Sequence, residues 1–135
     1  MGRGPASEIL LIMKIKLGPT LSSPDCLFCK IVSGAIPANR VYEDECCIGF
    51  PDINPQAPTH LLVIPKQHIG STAKALAEDT PLMGHMMAAA AEIARKEKLD
   101  KGYRIVVNTG DDGGQTVHHL HLHLLGGRHM NWPPG

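Results

Sequence analysis

The sequence lacks both a net charge and a long apolar run. Thirteen Lys and Arg residues balance thirteen Asp and Glu residues over its 135 positions, so no strongly basic face for duplex nucleic acid is expected. A small phosphate site remains compatible with this balance. No apolar run approaches the roughly 20 residues of a membrane span, and the run at residues 9–13 is shorter than the apolar core of a signal peptide. We therefore expect an intracellular protein, cytoplasmic or nuclear, with neither a membrane nor a specific nucleic-acid partner.

A disulfide framework is also not expected from the four cysteines. Cys46 and Cys47 are adjacent, and adjacent strand residues point to opposite faces. Without a secretion signal, Cys26-x-x-Cys29 is more typical of a metal or redox site. The redox interpretation is disfavoured because residues 22–25 are not strand-like. For zinc, this pair supplies half of a tetrahedral set, and two histidines from elsewhere would complete it; the alternative is two buried, inert cysteines.

The composition, 43% apolar and 19% charged, is that of one globular domain. The pattern predicts an α+β fold with about five antiparallel strands and two helices. Residues 1–24 are interpreted as an N-terminal extension that is partly disordered, and residues 25–135 as the domain. The predicted elements are a helix at 25–32 capped by Asp25, strands at 41–44, 46–50 and 60–66, a helix at 81–98 capped by Thr80, and strands at 103–108 and 119–125.

Two apolar stripes run along the predicted long helix. The first contains Leu82, Met86, Ala89 and Ile93, and the second contains Met83, Met87, Ala90 and Ala94. A helix that is apolar on two faces is buried on two sides. One side fits the helix's own sheet, and the other predicts contact with a second subunit.

Eight histidines are the compositional anomaly, and three of them alternate at His119, His121 and His123. On a strand this spacing places three imidazoles on one face and the intervening leucines on the other. Spacing alone leaves three interpretations open. The segment is a half-exposed strand rich in histidine, a catalytic zinc site built on His-x-His, or a site in which a neutral imidazole attacks phosphorus.

Two further polar features are candidates for ligand binding. The backbone N–H groups of residues 113–116, with the hydroxyl of Thr116, can cradle a phosphate oxygen, although an ordinary Asp-Gly hairpin turn has the same composition. Asp52 follows a predicted strand and precedes Pro55. It is either a turn residue or a carboxylate that accepts two sugar hydroxyls, and spacing alone favours the turn.

The segment His119-Leu-His-Leu-His123-Leu-Leu resembles the motif of the histidine triad (HIT) family. The similarity spans residues 25–135. It includes Cys-Leu-Phe-Cys at 26–29, Phe-Pro-Asp-Ile-Asn-Pro-Gln-Ala-Pro-Thr-His at 50–60, Asp-Gly-Gly-Gln at 112–115 and Trp-Pro-Pro-Gly at 132–135. The C-terminal tetrapeptide places the resemblance nearest to the histidine triad nucleotide-binding (protein kinase C inhibitor-like) branch.

This resemblance implies a homodimer in which two five-stranded sheets, each with two helices, join into one. It implies a purine nucleoside phosphoramidase, a hydrolase that cleaves the P–N bond of adenosine or guanosine 5′-phosphoramidates. His121 would be the nucleophile and form a nucleotidyl-histidine intermediate, and His123 would contact the phosphate. The other implied contacts are Asn108, Gly114 and Thr116 to phosphate oxygens and the leaving amine, Asp52 to the ribose hydroxyls, and Phe28, Ile36, Phe50, Ile53 and Leu62 to the purine.

The resemblance also implies a zinc ion. In family members with Cys-x-x-Cys the ligands correspond here to Cys26, Cys29, His60 and His119. Four protein ligands make a closed, structural site without a position for an activated water, so no catalytic metal is expected. This set argues against a mononuclear zinc hydrolase. A non-enzymatic nucleotide-binding adaptor remains the alternative to the phosphoramidase.

Overall fold

A five-stranded antiparallel sheet organises the protein, and the computed structural model describes residues 22–135. Most of the predicted extension, residues 1–21, lies outside the described residues. The predicted α+β fold is confirmed. The strands are β1 (Tyr42–Glu43), β2 (Cys47–Pro51), β3 (Thr59–Pro65), β4 (Tyr103–Val106) and β5 (Leu122–Gly126), in the spatial order β1-β2-β3-β5-β4, and the helices are α1 (Leu27–Ser33) and α2 (Thr80–Lys96).

β3 lies at the centre of the sheet, between β2 and β5, and it is buried on both faces. Successive side chains of a strand point to opposite faces. Leu61 and Val63 accordingly join the core that contains α2, whereas Leu62 and Ile64 join the core that contains α1. The continuous apolar run of β3 therefore serves two separate cores, one on each face of the sheet.

α2 covers one face of the sheet with its first apolar stripe, in which Leu82 and Ile93 are almost fully buried. A Cβ added at Gly49 of β2 would lie 3.0 Å from Cδ1 of Ile93, so the helix packs closely on the strand. On the second stripe Ala90 is buried, but Met87 is 47% exposed. The second apolar face is thus partly open in the single chain. No helix among residues 22–135 is long and apolar enough to cross a membrane.

The N-cap of each helix lies one residue away from the predicted position. The N-cap of α1 is Cys26 and not Asp25, because the Cys26 sulfur accepts the N–H of Cys29 at 3.3 Å. The N-cap of α2 is Asp79, and Thr80 is the first helical residue. Both predicted caps are therefore wrong by one position, while both helices are confirmed.

β5 begins three residues later than predicted, and β4 ends two residues earlier. β3 ends at Pro65. Beyond that point the segment at residues 119–121 lies next to the chain that follows β3, outside the regular hydrogen-bond ladder between β3 and β5. The N–H of Leu120, for example, donates to the carbonyl of Ile69 at 2.6 Å. This departure from the ladder lets His119 and His121 enter the core beside α1, where both are buried.

A buried polar network, which the sequence pattern did not predict, ties the β1–β2 hairpin to α2. Oδ2 of Asp44 accepts hydrogen bonds from the Tyr42 hydroxyl and His85 Nε2, both at 2.7 Å, and Oδ1 accepts the N–H groups of Cys46 and Cys47. Burial acts to raise the pKa of Asp44, but these hydrogen bonds outweigh it and hold that pKa well below its usual range. Donors from the protein itself bond both oxygens of the Asp44 carboxylate, so we interpret the network as a structural feature and not as a ligand site.

We expect Asp44→Ala to lower the free energy of unfolding by about 3–5 kcal/mol, because it leaves His85 and two backbone N–H groups without their acceptor. Urea unfolding measures the change. Glu45→Ala, at the exposed neighbouring position, is the matched control and should change stability by less than about 0.5 kcal/mol. Equally small effects of the two substitutions would contradict the structural interpretation.

Candidate active site

An apolar cleft of about 670 Å³ lies between α1 and the sheet face that carries Leu62. Five polar residues, Asn39, Asp52, Thr116, His121 and His123, line it. Apolar walls with a few convergent polar groups are typical of small-molecule sites. All the predicted catalytic and nucleotide-binding residues line the cleft except Asn108 and Gly114. The roles of all these residues stay predictions. The apolar lining includes Leu27, Phe28, Ile31, Ile36, Phe50, Ile53, Leu62 and Val117.

Phe28 of α1 forms the aromatic wall of the cleft. Its ring packs edge-on against Phe50 at 5.8 Å between centroids and against His121 at 5.1 Å. Aromatic rings favour this geometry because a positive edge meets a negative face. The short helix α1 therefore supplies an apolar surface and also fixes the plane of the His121 imidazole.

His121 is held with its proton on a known ring nitrogen. Its Nδ1 lies 2.7 Å from the carbonyl oxygen of His119. A carbonyl only accepts hydrogen bonds, so Nδ1 carries the proton and Nε2 carries the lone pair. The imidazole is 5% exposed and lines the cleft. Nε2 of His121 is therefore available as a nucleophile toward a ligand in the cleft.

His123 lies beside His121 and is linked to a second histidine. The His121 and His123 ring centroids are 5.0 Å apart, and His123 Nδ1 lies 2.9 Å from His60 Nε2. Burial, assisted by repulsion from His121 and His60, lowers the pKa of His123 to about 4, although Asp52 opposes the shift. At neutral pH His123 is accordingly uncharged and offers one N–H donor.

A second cluster brings together two cysteines and two histidines behind the cleft. The ligand atoms of Cys26, Cys29, His68 and His119 all lie within 4.8 Å of one another. His119 Nδ1 is 3.3 Å from the Cys26 sulfur, 3.6 Å from the Cys29 sulfur and 3.2 Å from His68 Nδ1. His119 is fully buried, and this burial lowers its pKa to about 4.

These four side chains fit a tetrahedral zinc ion. With Zn–S near 2.3 Å and Zn–N near 2.0–2.1 Å, tetrahedral ligand atoms are about 3.3–3.8 Å apart, close to the separations of this cluster. His119 Nε2 lies 2.9 Å from the Pro65 carbonyl, so the ring proton is there and the Nδ1 lone pair faces the cysteines. Both sulfurs also accept backbone N–H groups, at Cys29 and Ser23, as metal-bound thiolates do. The cluster can therefore hold a metal with all four positions filled by protein.

Comparisons with known proteins agree with this geometry. A sequence profile of the family described as scavenger mRNA decapping enzyme C-term binding matches residues 25–132. The chain is also 55% identical over 113 residues to a HIT-like protein of Synechococcus elongatus, an alignment that covers 84% of this chain and 99% of the relative. The chain belongs to the HIT family. The predicted family is thus confirmed, and the predicted branch within it stays a prediction.

Further relatives of this HIT protein include a zinc-binding protein and solved hydrolases. It is 50% identical over 117 residues to a 14 kDa zinc-binding protein of Zea mays, covering 85% of this chain and 91% of that one. A HIT family hydrolase from Legionella pneumophila superposes with a TM-score of 0.81 at 52% identity, covering 82% of this chain and 100% of that chain. A histidine triad protein from Clostridium difficile gives 0.80 at 40% identity, covering 82% and 97%. These relatives support a HIT-type hydrolase.

In the Cys/His cluster His68 takes the place predicted for His60, and that part of the predicted ligand set is wrong. β3 and β5 are antiparallel, and His60 pairs with Leu125. Leu125 lies six residues beyond His119, about 20 Å along a strand, so His60 and His119 cannot share an ion. His68 follows the far end of β3 and meets His119 there. Because the two predicted strands run in opposite directions, the sequence already indicated that a histidine beyond the end of β3, such as His68, lies closer to His119 than His60 does.

The glycine-rich loop of the HIT domain has the geometry of a turn. A Cβ at Gly113 would clash with the Thr109 carbonyl oxygen, and Gly114 has a φ of +79°. Gln115 closes the loop: its amide accepts the Gly110 N–H and donates to the Gly70 carbonyl. The turn itself requires these glycines, so their presence does not indicate a phosphate cradle. The loop places Thr116 at the cleft.

Proposed function

We propose that this HIT domain is a purine nucleoside phosphoramidase that hydrolyses the P–N bond through a nucleotidyl-His121 intermediate. The observation that carries the proposal is the His121 imidazole, whose Nδ1–H is fixed on the His119 carbonyl inside an apolar cleft. A nucleophile with its lone pair on one defined nitrogen can form a covalent bond to phosphorus. The support from relatives extends to a HIT hydrolase, and the P–N specificity is our proposal.

The cleft suits a purine nucleotide, the ligand class bound by HIT proteins. Phe28, Phe50 and Leu62 supply apolar contacts for a base. The Asp52 carboxylate lies at the same cleft, and its Oδ1 already accepts the N–H of Asn54 at 2.8 Å. This bond fixes the carboxylate so that its remaining lone pairs can accept ribose hydroxyls. His121 and His123 then lie at the phosphate end.

The reaction consists of two displacements at phosphorus. His121 Nε2 donates its lone pair to phosphorus, the P–N bond breaks, and the nitrogen keeps the bond's electron pair, takes up a proton from solvent and leaves as an amine. The Nδ1–H retained by His121 stays hydrogen-bonded to the His119 carbonyl, which stabilises the positive imidazolium. The N–H of His123 and the hydroxyl of Thr116 contact the phosphoryl group. Water then attacks phosphorus and loses a proton to solvent, the bond between phosphorus and Nε2 breaks, and His121 leaves as a neutral imidazole that keeps its Nδ1–H.

A structural zinc ion is proposed for Cys26, Cys29, His68 and His119. Bound zinc would tie α1 to the segment that carries His121, and it would supply no activated water because all four positions are filled. His119 serves the reaction through its own backbone carbonyl, which holds His121. No separate catalytic metal is part of the proposal.

A homodimer is proposed across β4 and the open face of α2. β4 is an edge strand of the described sheet, and exposed edges favour pairing with another strand. Tyr103 and Met87 are 44% and 47% exposed, and Met87 and Val107 border a small apolar hollow. The exposed Trp132 would then lie near the partner's cleft.

Replacement of the nucleophile tests the activity. We expect His121→Ala to lose roughly 10³-fold or more of the turnover of adenosine 5′-phosphoramidate while it retains nucleotide binding, since only the covalent step is removed. A quenched reaction with labelled substrate should give a labelled protein adduct at His121. His118→Ala, at the exposed neighbouring histidine, is the control. If the unaltered protein binds nucleotide without turnover, the adaptor function replaces this proposal.

Two histidine variants test the zinc site. Elemental analysis of protein purified without added metal should find about one zinc per chain. We expect His68→Ala to lower zinc content and thermal stability, because it removes a ligand, whereas His60→Ala should keep the zinc. Chelation should likewise lower thermal stability and loosen residues 25–34. His129→Ala, exposed and outside both clusters, is the control. Zinc loss in the His60 variant alone would contradict this ligand set.

Sedimentation velocity tests the dimer. We expect a stable two-chain species at micromolar concentration and a shift toward monomer in Met87→Glu, because a charge would be buried in the interface. Ala88→Glu, at the next exposed position of α2, is the matched control. Removal of residues 131–135 should alter substrate preference more than stability. A monomeric unaltered protein would refute the proposed homodimer.

A further inference from the structure

A chain of hydrogen bonds reaches His123 from a residue outside the cleft. The Nε and Nη2 groups of Arg128 both donate to the carbonyl oxygen of Gln56, at 3.1 and 3.0 Å. The N–H of Gln56 donates to His60 Nδ1 at 2.9 Å. His60 Nε2 in turn lies 2.9 Å from His123 Nδ1. Arg128 is thus connected to the cleft through the backbone of one residue, Gln56, and the imidazole of His60.

The direction of each bond in this chain follows from its donor. A backbone N–H can only donate, so His60 Nδ1 carries a lone pair and its ring proton is on Nε2. That proton is donated to His123 Nδ1, which must then accept. The ring proton of His123 is accordingly on Nε2, the nitrogen that His60 leaves free.

A second contact supports the same proton positions. Oδ2 of Asp52 lies 3.4 Å from His60 Nε2 and 4.0 Å from His123 Nδ1. A carboxylate oxygen is an acceptor, so it too favours a proton on His60 Nε2. Asp52 and the Gln56 peptide therefore select the same tautomer of His60 from opposite sides of the ring.

The loop that carries Gln56 is held in place by few other bonds. It spans the residues between β2 and β3, contains Pro55 and Pro58, and is largely exposed. Arg128 lies two residues beyond the end of β5, so its two donors fasten this loop next to the strand that bears His123. Gly127 allows the approach: it has a φ of +90°, and a Cβ there would lie 2.9 Å from Pro58.

We propose that Arg128 is a positioning residue that keeps the proton of His123 on Nε2, acting through Gln56 and His60. The proposal rests on the proposed function for its consequence in catalysis, where that N–H contacts the phosphoryl group. A guanidinium delivers two donors to one carbonyl in a fixed fork, which a lysine ammonium does not reproduce.

The test combines histidine tautomers with kinetics on the full chain as purified. Two-bond ¹H–¹⁵N spectra of ¹⁵N-histidine protein should show the Nε2–H tautomer for His60 and His123, and the Nδ1–H tautomer for His121. In Arg128→Ala we expect a mixture of tautomers at His60 and His123, with His121 unchanged. Turnover should fall on the order of 10- to 100-fold through kcat, with little change in KM.

Two more variants separate positioning from folding. His129→Ala keeps the backbone carbonyl that Arg128 Nη1 contacts, so it should leave tautomers and turnover unchanged. Arg128→Lys retains the charge with a single donor group, so it should give an intermediate tautomer shift. This variant also tests the proposal if Arg128→Ala does not fold. Unchanged His60 and His123 tautomers in Arg128→Lys and Arg128→Ala would overturn the proposal. A tautomer shift in a protein without phosphoramidase turnover would support the positioning and refute the proposed function.

Discussion

The antiparallel pairing of β3 with β5 is the constraint on which both histidine clusters depend. Its register sets Leu62 opposite His123, and His60 is a diagonal neighbour on the same face. At the other end of β3 the chain continues to His68 and meets His119. A slip of one residue would move His123 to the opposite face of the sheet. The apolar run that fixes the position of β3 between two cores therefore also fixes the chemistry of the site.

Main-chain groups give the histidines different roles. His119 donates from Nε2 to the Pro65 carbonyl and so presents Nδ1 to the cysteines. His121 donates from Nδ1 to the His119 carbonyl and so presents Nε2 to the cleft. His60 accepts a backbone N–H on Nδ1 and passes its own proton toward His123. One residue type thus fills the proposed roles of metal ligand, nucleophile and donor, and backbone hydrogen bonds determine which ring nitrogen is available in each case.

Local patterns were enough to predict the sheet and the two helices, and the family resemblance named many of the residues that line the cleft. The alternation of His119, His121 and His123 with leucines carried the HIT motif, which the comparisons confirm. Residues whose role depends on strand register were not found in this way. His68 and Arg128 become adjacent to their partners only after β3 and β5 are paired. The Asp44–His85 link likewise joins residues 41 positions apart that no short motif connects.

The shortness of α1 explains why the cleft depends on the Cys/His cluster. A seven-residue helix is well below the roughly 12–15 residues at which isolated helices become marginally stable, so tertiary contacts must hold it. Cys26 caps its first turn, Cys29 lies within it, and both sulfurs contact His119. Phe28, between them, packs on the His121 ring. The contacts that stabilise α1 are therefore the same contacts that place the aromatic wall against His121, which makes the folding of this helix part of the construction of the candidate active site.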